Sequence, residues 1–247
     1  MSEVAIVAGG SGGIGAAAVR RLLRDDPGLR LAIADLADPP ADIRELAGDR
    51  LFSAAIDIAD HDAVVSFVEQ AAHALGEPTR LVNAAGIQLN KASLDLTPAD
   101  WRRVQGINLD GVFWFCQAVG RRMVEAGRGS IVNVASISMF FGFPRRLAYI
   151  TTKAALGGLT ATLAVEWAPH GVRVNAVAPG MVETPLVTHG FEQGHFRRDV
   201  VEPQHALGRI GQPDEIAGAI SFLLSDDASF VTGEVLCIDG GFQRVKI

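Results

Sequence analysis

Seven short aliphatic and β-branched runs punctuate the sequence: VAIVA at 4–8, LAIA at 31–34, LFSAAI at 51–56, RLVNA at 80–84, SIVNVA at 130–135, VRVNAVA at 172–178 and EVLCI at 234–238. Longer stretches of helical periodicity separate them. Strands apolar on both faces and spaced by amphipathic helices point to a parallel sheet with helices on both sides, because each crossover helix must bury its stripe against the sheet. The expectation is an α/β fold with a doubly wound, seven-stranded parallel sheet and right-handed crossovers. Thr97-Pro98-Ala99-Asp100 supplies an N-cap, a proline at the first helical position and an acid in the first turn, and Gln212-Pro213-Asp214-Glu215 repeats the scheme. A helix running from about Tyr149 is expected to stop near Pro169, whose ring removes a hydrogen bond.

No linker or internal repeat divides the 247 residues, so residues 1–247 read as one domain. The least regular stretch, 179–211, has glycines, histidines and mixed charges with weak periodicity, and 181–208 reads as a lid over a site. A hydrophobic content of 49% provides a core, and a net charge of −6 without a basic run argues against nucleic acid or an anionic membrane as partner. Cys116 and Cys237 lie far apart, each in an apolar run, and read as small buried hydrophobes in a reducing cytoplasm. The N-terminus has neither a basic n-region nor an apolar span, so no targeting segment or membrane helix is expected. His189, His195 and His205 lack metal-site spacing, and no metal is expected.

The first run continues as VAIVAGGSGGIGAAAVRRLL, a strand, a glycine-rich turn and a helix, with Gly9, Gly13 and Gly15 spaced G-x-x-x-G-x-G. Glycines there let the backbone approach a pyrophosphate at a helix N-terminus, as in Rossmann-like folds. Asp35 ends the second run, twenty residues beyond Gly15. A carboxylate at that edge accepts hydrogen bonds from ribose hydroxyls and repels a 2′-phosphate, which favours NAD over NADP.

Tyr149, the single tyrosine, precedes Lys153 by four residues, so both share one helix face. A phenol of pKa near ~10 needs help to exchange a proton at neutral pH, and an ammonium one turn away favours its phenolate. Ser136, thirteen residues before Tyr149 at a strand end, is placed to donate a hydrogen bond to a substrate oxygen on which charge develops. Asn108 falls within a helical stretch, where asparagine is a poor former.

Together, the glycine turn, DIAD from Asp57, NAAG at 83–86, Asn108 in GINLDGVF, Ser136, Tyr149 with Lys153, and PG at 179–180 followed by Thr184 resemble the short-chain dehydrogenase/reductase family over essentially the whole chain. The resemblance implies Ser136, Tyr149, Lys153 and Asn108 as the catalytic set, Asn108 holding a water relay to the lysine. It implies an NAD site of Gly9, Ser11, Gly12, Gly13, Ile14, Gly15, Asp35, Asp57 against adenine, Ile58, Asn83, Ala84, Gly86, Tyr149, Lys153, Pro179, Gly180, Val182 and Thr184. Ala8 and Ala84 depart from the family's usual threonine and asparagine, which brace the strands. A homotetramer or homodimer is also implied, and the small residues Ala154, Ala155, Gly157 and Gly158 permit close helix approach.

The expected substrate side comprises Ser136, Ser138, Gln88, Phe143, Arg146, Tyr149, Met181 and Phe191, with Phe140, Phe141, Leu186 and Phe196 adding apolar cover. This composition suits an apolar or ring-bearing secondary alcohol or ketone handled with NAD. Arg145 and Arg146 leave open a dehydrogenase of a hydroxy acid or carboxylated dihydrodiol, against a solvated surface pair. A β-ketoacyl carrier-protein reductase and a non-catalytic NAD-binding regulatory protein are the remaining readings.

Overall fold

The structure is a computed structural model that describes residues 3–245; Met1, Ser2, Lys246 and Ile247 of the expected domain lie outside the described residues. Strands β1 (Val4–Ala8), β2 (Arg30–Asp35), β3 (Leu51–Ala55), β4 (Arg80–Asn83), β5 (Gly129–Val134), β6 (Val172–Pro179) and β7 (Val235–Ile238) form one sheet in the order β3-β2-β1-β4-β5-β6-β7. Every pairing is parallel. The order reverses between β1 and β4, which opens a crevice at the carboxyl edge.

Along β1, Val4, Ile6 and Ala8 enter one core layer while Ala5 and Val7 enter the other. That division is why the strand reads as a continuous apolar run. Helices α1 (Gly13–Asp25), α2 (Ala41–Ala47) and α9 (Pro213–Leu224) contribute Leu22, Ile43 and Ile220 to the second layer. On the opposite face, α3 (His61–Leu75), α5 (Gly111–Ala126) and α6 (Leu147–Trp167) bring Phe67, Phe115 and Leu156, each worth roughly 1.5–3 kcal/mol in burial. The Thr97 cap opens α4 (Pro98–Gln105) as a capping box with Asp100, whose carboxyl falls to about 2 under hydrogen bonds from Lys91 and Thr97. The long helix ends at Trp167, and a 3-10 turn carries Pro169.

Three expectations change. Asn108 sits in a π-helical turn, Gly106–Asp110, that joins α4 to α5, so a glycine and an asparagine mark a widened turn rather than a helix middle. The irregular stretch contains α7 (Pro185–Glu192), begun by a Thr184 cap with Pro185 at N1, and the short α8 (Arg198–Val201). Cys116 is buried with its thiol pushed up to about 12, but Cys237 is exposed because β7 is an edge strand. No helix among the described residues is long and apolar enough to cross a membrane, and no cluster of His, Cys, Asp or Glu there has metal-site geometry.

Candidate active site

A cleft of about 450 Å³ follows the carboxyl edge from β2 to β6. Its floor is the turn after β1. Gly9 has φ +78°, and a Cβ there would stand 2.5 Å from the Ala85 nitrogen. A Cβ at Gly15 would stand 1.9 Å from the Gly9 carbonyl oxygen, so the turn and α1 touch backbone to backbone. Gly12 caps α1 without any side-chain cap, and no acid occupies the first turn. The helix therefore presents uncompensated N–H groups to the cleft, as a pyrophosphate requires.

Asp35 fixes that turn in place. Its Oδ2 accepts from the Ser11 amide at 2.9 Å and its Oδ1 from the Ala37 amide at 3.2 Å, while the Ser11 hydroxyl donates to the Ala37 carbonyl at 2.8 Å. Asp57 lines the same wall and accepts from the Ala59 amide at 2.9 Å. Ala8, at the position of the departure from threonine, accepts from the amides of Ala84 and Ala85 at 2.8 and 3.0 Å, so backbone alone holds β1 to the start of the next loop.

Ser136, Tyr149 and Lys153 line the other end of the cleft. Ser136 follows β5 and caps a 3-10 turn, Ile137–Phe140. Lys153 is 4% exposed, its Nζ donating to the Val134 carbonyl at 2.7 Å and standing 5.8 Å from the Tyr149 ring centroid. Burial pulls its ammonium down to about 8. Burial also pushes the Tyr149 phenol above its ordinary value, against the opposite pull of the Ser136 hydroxyl and the Arg146 charge. The sequence points to Lys153 for this help, and the structure adds Ser136 and Arg146. Asn108, fully buried, accepts from the Ile87 amide and donates to the Ile87 carbonyl, both at 2.8 Å. A Cβ on Gly86 would meet the Asn108 Oδ1 at 3.4 Å and the Lys153 Nζ at 3.5 Å, so these two groups converge on one glycine.

Of the residues expected to hold a cofactor, all but Gly15 and Asn83 line the cleft. Gly15 packs beneath the turn. Asn83, 2% exposed, is a strap between strands, donating to the Asn133 Oδ1 at 2.9 Å and the Cys116 sulfur at 3.3 Å. The expected substrate residues divide similarly. Ser136 and Tyr149 line the cleft, whereas Gln88, Phe143, Arg146 and Phe191 stand outside its lining. Met181 lines a separate cavity of about 90 Å³ with His205. Ser138 is 3% exposed and turned back, its amide and hydroxyl donating to the Ser136 Oγ at 3.2 and 2.9 Å. The tight 3-10 turn folds position 138 behind position 136.

The two arginines part company. Arg145 is exposed at φ 67°, its carbonyl accepting from the Lys91 amide and its Nε donating to Asn90. Arg146 turns inward over the rings of Phe143 and Phe196. The cleft also takes Leu36, Ala37, Leu186 and Val187, which sequence reasoning did not assign to a nucleotide site. Leu36 had a signal, an apolar residue directly after Asp35 that stays 75% exposed.

A family model described as enoyl-(acyl carrier protein) reductase matches residues 8–243. The cis-4-hydroxycyclohexanecarboxylate dehydrogenase of Sinomonas cyclohexanicum is 41% identical over 98% of this chain and 97% of its own length. The crystal structure of levodione reductase superposes with a TM-score of 0.91 at 32% identity, covering 99% of this chain and 98% of that one. The structure of ElxO with NADP bound gives a TM-score of 0.90 at 29% identity, covering 99% of this chain and 100% of that one. With strand order, cleft and the Tyr149–Lys153 pair already in place, these matches make the chain a member of the short-chain dehydrogenase/reductase family, oxidoreductases that work with a nicotinamide dinucleotide.

Proposed function

We propose that the protein is an NAD-dependent oxidoreductase interconverting a secondary alcohol and a ketone on an apolar or ring-bearing substrate. The observation that carries this reading is the meeting of Ser136, Tyr149 and Lys153 at one end of a cleft whose other end holds Asp35. The residues fit a dinucleotide: the α1 N-terminus and glycine turn would receive the pyrophosphate, Asp35 the adenosine ribose, and Lys153 the nicotinamide ribose. A nicotinamide held there would supply the hydride chemistry at the carbinol carbon.

The chain's own residues manage the proton. Tyr149 takes it from the alcohol or returns it to the ketone, and Ser136 donates a hydrogen bond to the same oxygen. Asn108 holds the Ile87 backbone from both sides and so fixes the loop beside Lys153. The relative's name describes an alcohol on a six-membered ring, which supports the ring-bearing substrate. Residues 181–208 act as the lid, Val182, Leu186 and Val187 already lining the cleft. The exposed, mostly small face of α6, with Ala154, Gly158 and Val165, supports a homotetramer or homodimer, and the free thiols suit a reducing cytoplasm.

Asp35 supports NAD even though a similar structure carries NADP. A second negative charge against it costs several kcal/mol. Reduction of NAD and NADP, followed with a panel of cyclic secondary alcohols, is the test. The wild type is expected to favour NAD, and Asp35→Asn to narrow the kcat/KM ratio at least about tenfold, or ~1.4 kcal/mol. A wild type that prefers NADP overturns the cofactor assignment and restores the carrier-protein reductase. Binding of NAD with no turnover across the panel restores the non-catalytic reading.

Ser138 acts on the reaction through Ser136. Because its amide and hydroxyl both donate to the Ser136 Oγ, the Ser136 proton is left to point toward Tyr149 or the substrate oxygen. Ser138→Ala is expected to lower kcat by about tenfold, the worth of roughly one oriented hydrogen bond, with KM for the cofactor maintained. Ser138→Thr restores the rate. Steady-state kinetics check both, and a KM effect without a kcat effect assigns Ser138 to substrate contact instead.

A further inference from the structure

Arg146 stands three residues before Tyr149 at the boundary of α6, on the same helix face. Its guanidinium lies 5.6 Å from the ring centre of Phe143 and 5.3 Å from that of Phe196. Phe196 is itself fixed, packed edge-on against Phe191 at 4.8 Å and filling the space beside Gly190, where a Cβ would stand 2.3 Å from its ring. The cation is therefore held between one ring from the turn before α6 and one from the lid.

Among the described residues the Arg146 side chain makes no hydrogen bond and no ion pair, in contrast to the side chains of the other arginines of the region. Arg198 lies over Phe191 and holds Glu183 at 2.6 Å, Arg197 holds Asp199, and Arg209 holds Glu215 at 2.7 Å. Arg145 faces out and holds Asn90 at 3.1 Å. Burial works against the Arg146 charge, yet a guanidinium keeps its proton in proteins. What remains is a half-buried planar cation, stacked by aromatic faces, with its donors unspent and its field reaching the Tyr149 hydroxyl. A planar anion satisfies such a group with two parallel hydrogen bonds, and the flanking rings accept an apolar body beside it.

We propose that Arg146 anchors a substrate carboxylate beside the reacting carbon, so that the substrates are secondary hydroxy acids, and the matching keto acids, on a small apolar or alicyclic frame. The proposal rests on the alcohol–ketone reading for its chemistry but on Arg146 alone for its specificity. Ligand entry thereby links the lid ring of Phe196 to the head of α6 through one side chain.

The test compares hydroxycyclohexanecarboxylates with their uncharged methyl esters as substrates for NAD reduction. The wild type is expected to favour the acids by about 100-fold in kcat/KM, the range of a charge-assisted bidentate contact. Arg146→Met is expected to bring that ratio to about one, Arg146→Lys to an intermediate value, and Arg145→Gln to leave it at the wild-type level. Cyclohexanecarboxylate, which has no hydroxyl to oxidise, is titrated in parallel against the NADH-bound proteins. It is expected to bind wild type and Tyr149→Phe alike and Arg146→Met far more weakly. A ratio that is the same in wild type and Arg146→Met, or a wild type that favours the esters, overturns the proposal. Unreactive acid that binds through Arg146, together with no oxidation of any hydroxy acid, upholds the anchor and overturns the alcohol–ketone reading, so the two failures are told apart.

Discussion

Replacing Tyr149 with phenylalanine is expected to lower kcat by about 10³-fold, or ~4 kcal/mol of barrier, within the range of a positioned proton donor. The substitution removes one oxygen from a side chain whose ring stays packed, so cofactor binding and melting temperature are expected to stay near wild type. Steady-state kinetics beside a cofactor titration check this, and retention of most of the turnover refutes the assignment. The pH dependence carries more information. Burial raises the Tyr149 phenol, while Ser136 and Arg146 oppose that rise. Alcohol oxidation needs the phenolate, so its rate is expected to climb as pH rises toward the Tyr149 pKa; ketone reduction needs the phenol and is expected to fall there. Removing the Arg146 charge moves both limbs to higher pH.

The parts of the molecule that sequence exposes are those that physical chemistry writes locally. Strands buried on both faces must be apolar throughout, so β1 is bounded correctly at 4–8 and β3 and β7 to within one residue. Thr97-Pro98 and Gln212-Pro213 announce α4 and α9 because a cap is a contact between near neighbours. Thr184-Pro185 carries the same signal, and it begins α7, but the weak periodicity around it masks a helix that packs on only one side. The glycine turn, Asp35 and the Tyr149–Lys153 pair are legible because their spacing is their geometry.

What sequence hides is pairing between distant residues and the direction of a single turn. Asn83 and Asn133, fifty positions apart, meet only because β4 and β5 are neighbours, and Asn133 then reaches Thr160 on α6 at 3.0 Å. A motif asparagine thus serves the sheet rather than the cleft. Ser136 and Ser138 look equivalent two residues apart until the 3-10 turn sends one outward and one behind it. The positive φ at Arg145 does the same for the arginine pair, and with it the question of substrate charge narrows from two residues to one.

Lys153→Met is expected to match Tyr149→Phe in lost turnover, about 10³-fold, because it removes the ammonium that favours the phenolate. Its effect on stability has the opposite sense. Lys153 titrates at about 8 in the folded chain and at 10.5 as an unperturbed group. Between those values the unfolded chain carries a proton that the folded chain does not, so stability rises with pH by on the order of 1 kcal/mol per unit. Below about pH 8 both states are protonated and the full penalty of the buried charge remains. Cys116, raised to about 12, has the reverse sign above its ordinary value of 9.0, where the folded chain keeps a proton that the unfolded one loses. The difference between wild type and Lys153→Met cancels the Cys116 contribution. The ligand-free variant is accordingly expected to be more stable than wild type at pH 7, with the advantage shrinking toward pH 10, as measured by urea unfolding across that range. A gap that stays constant with pH means that Lys153 binds its proton equally in the folded and unfolded chains, and that burial does not depress its pKa.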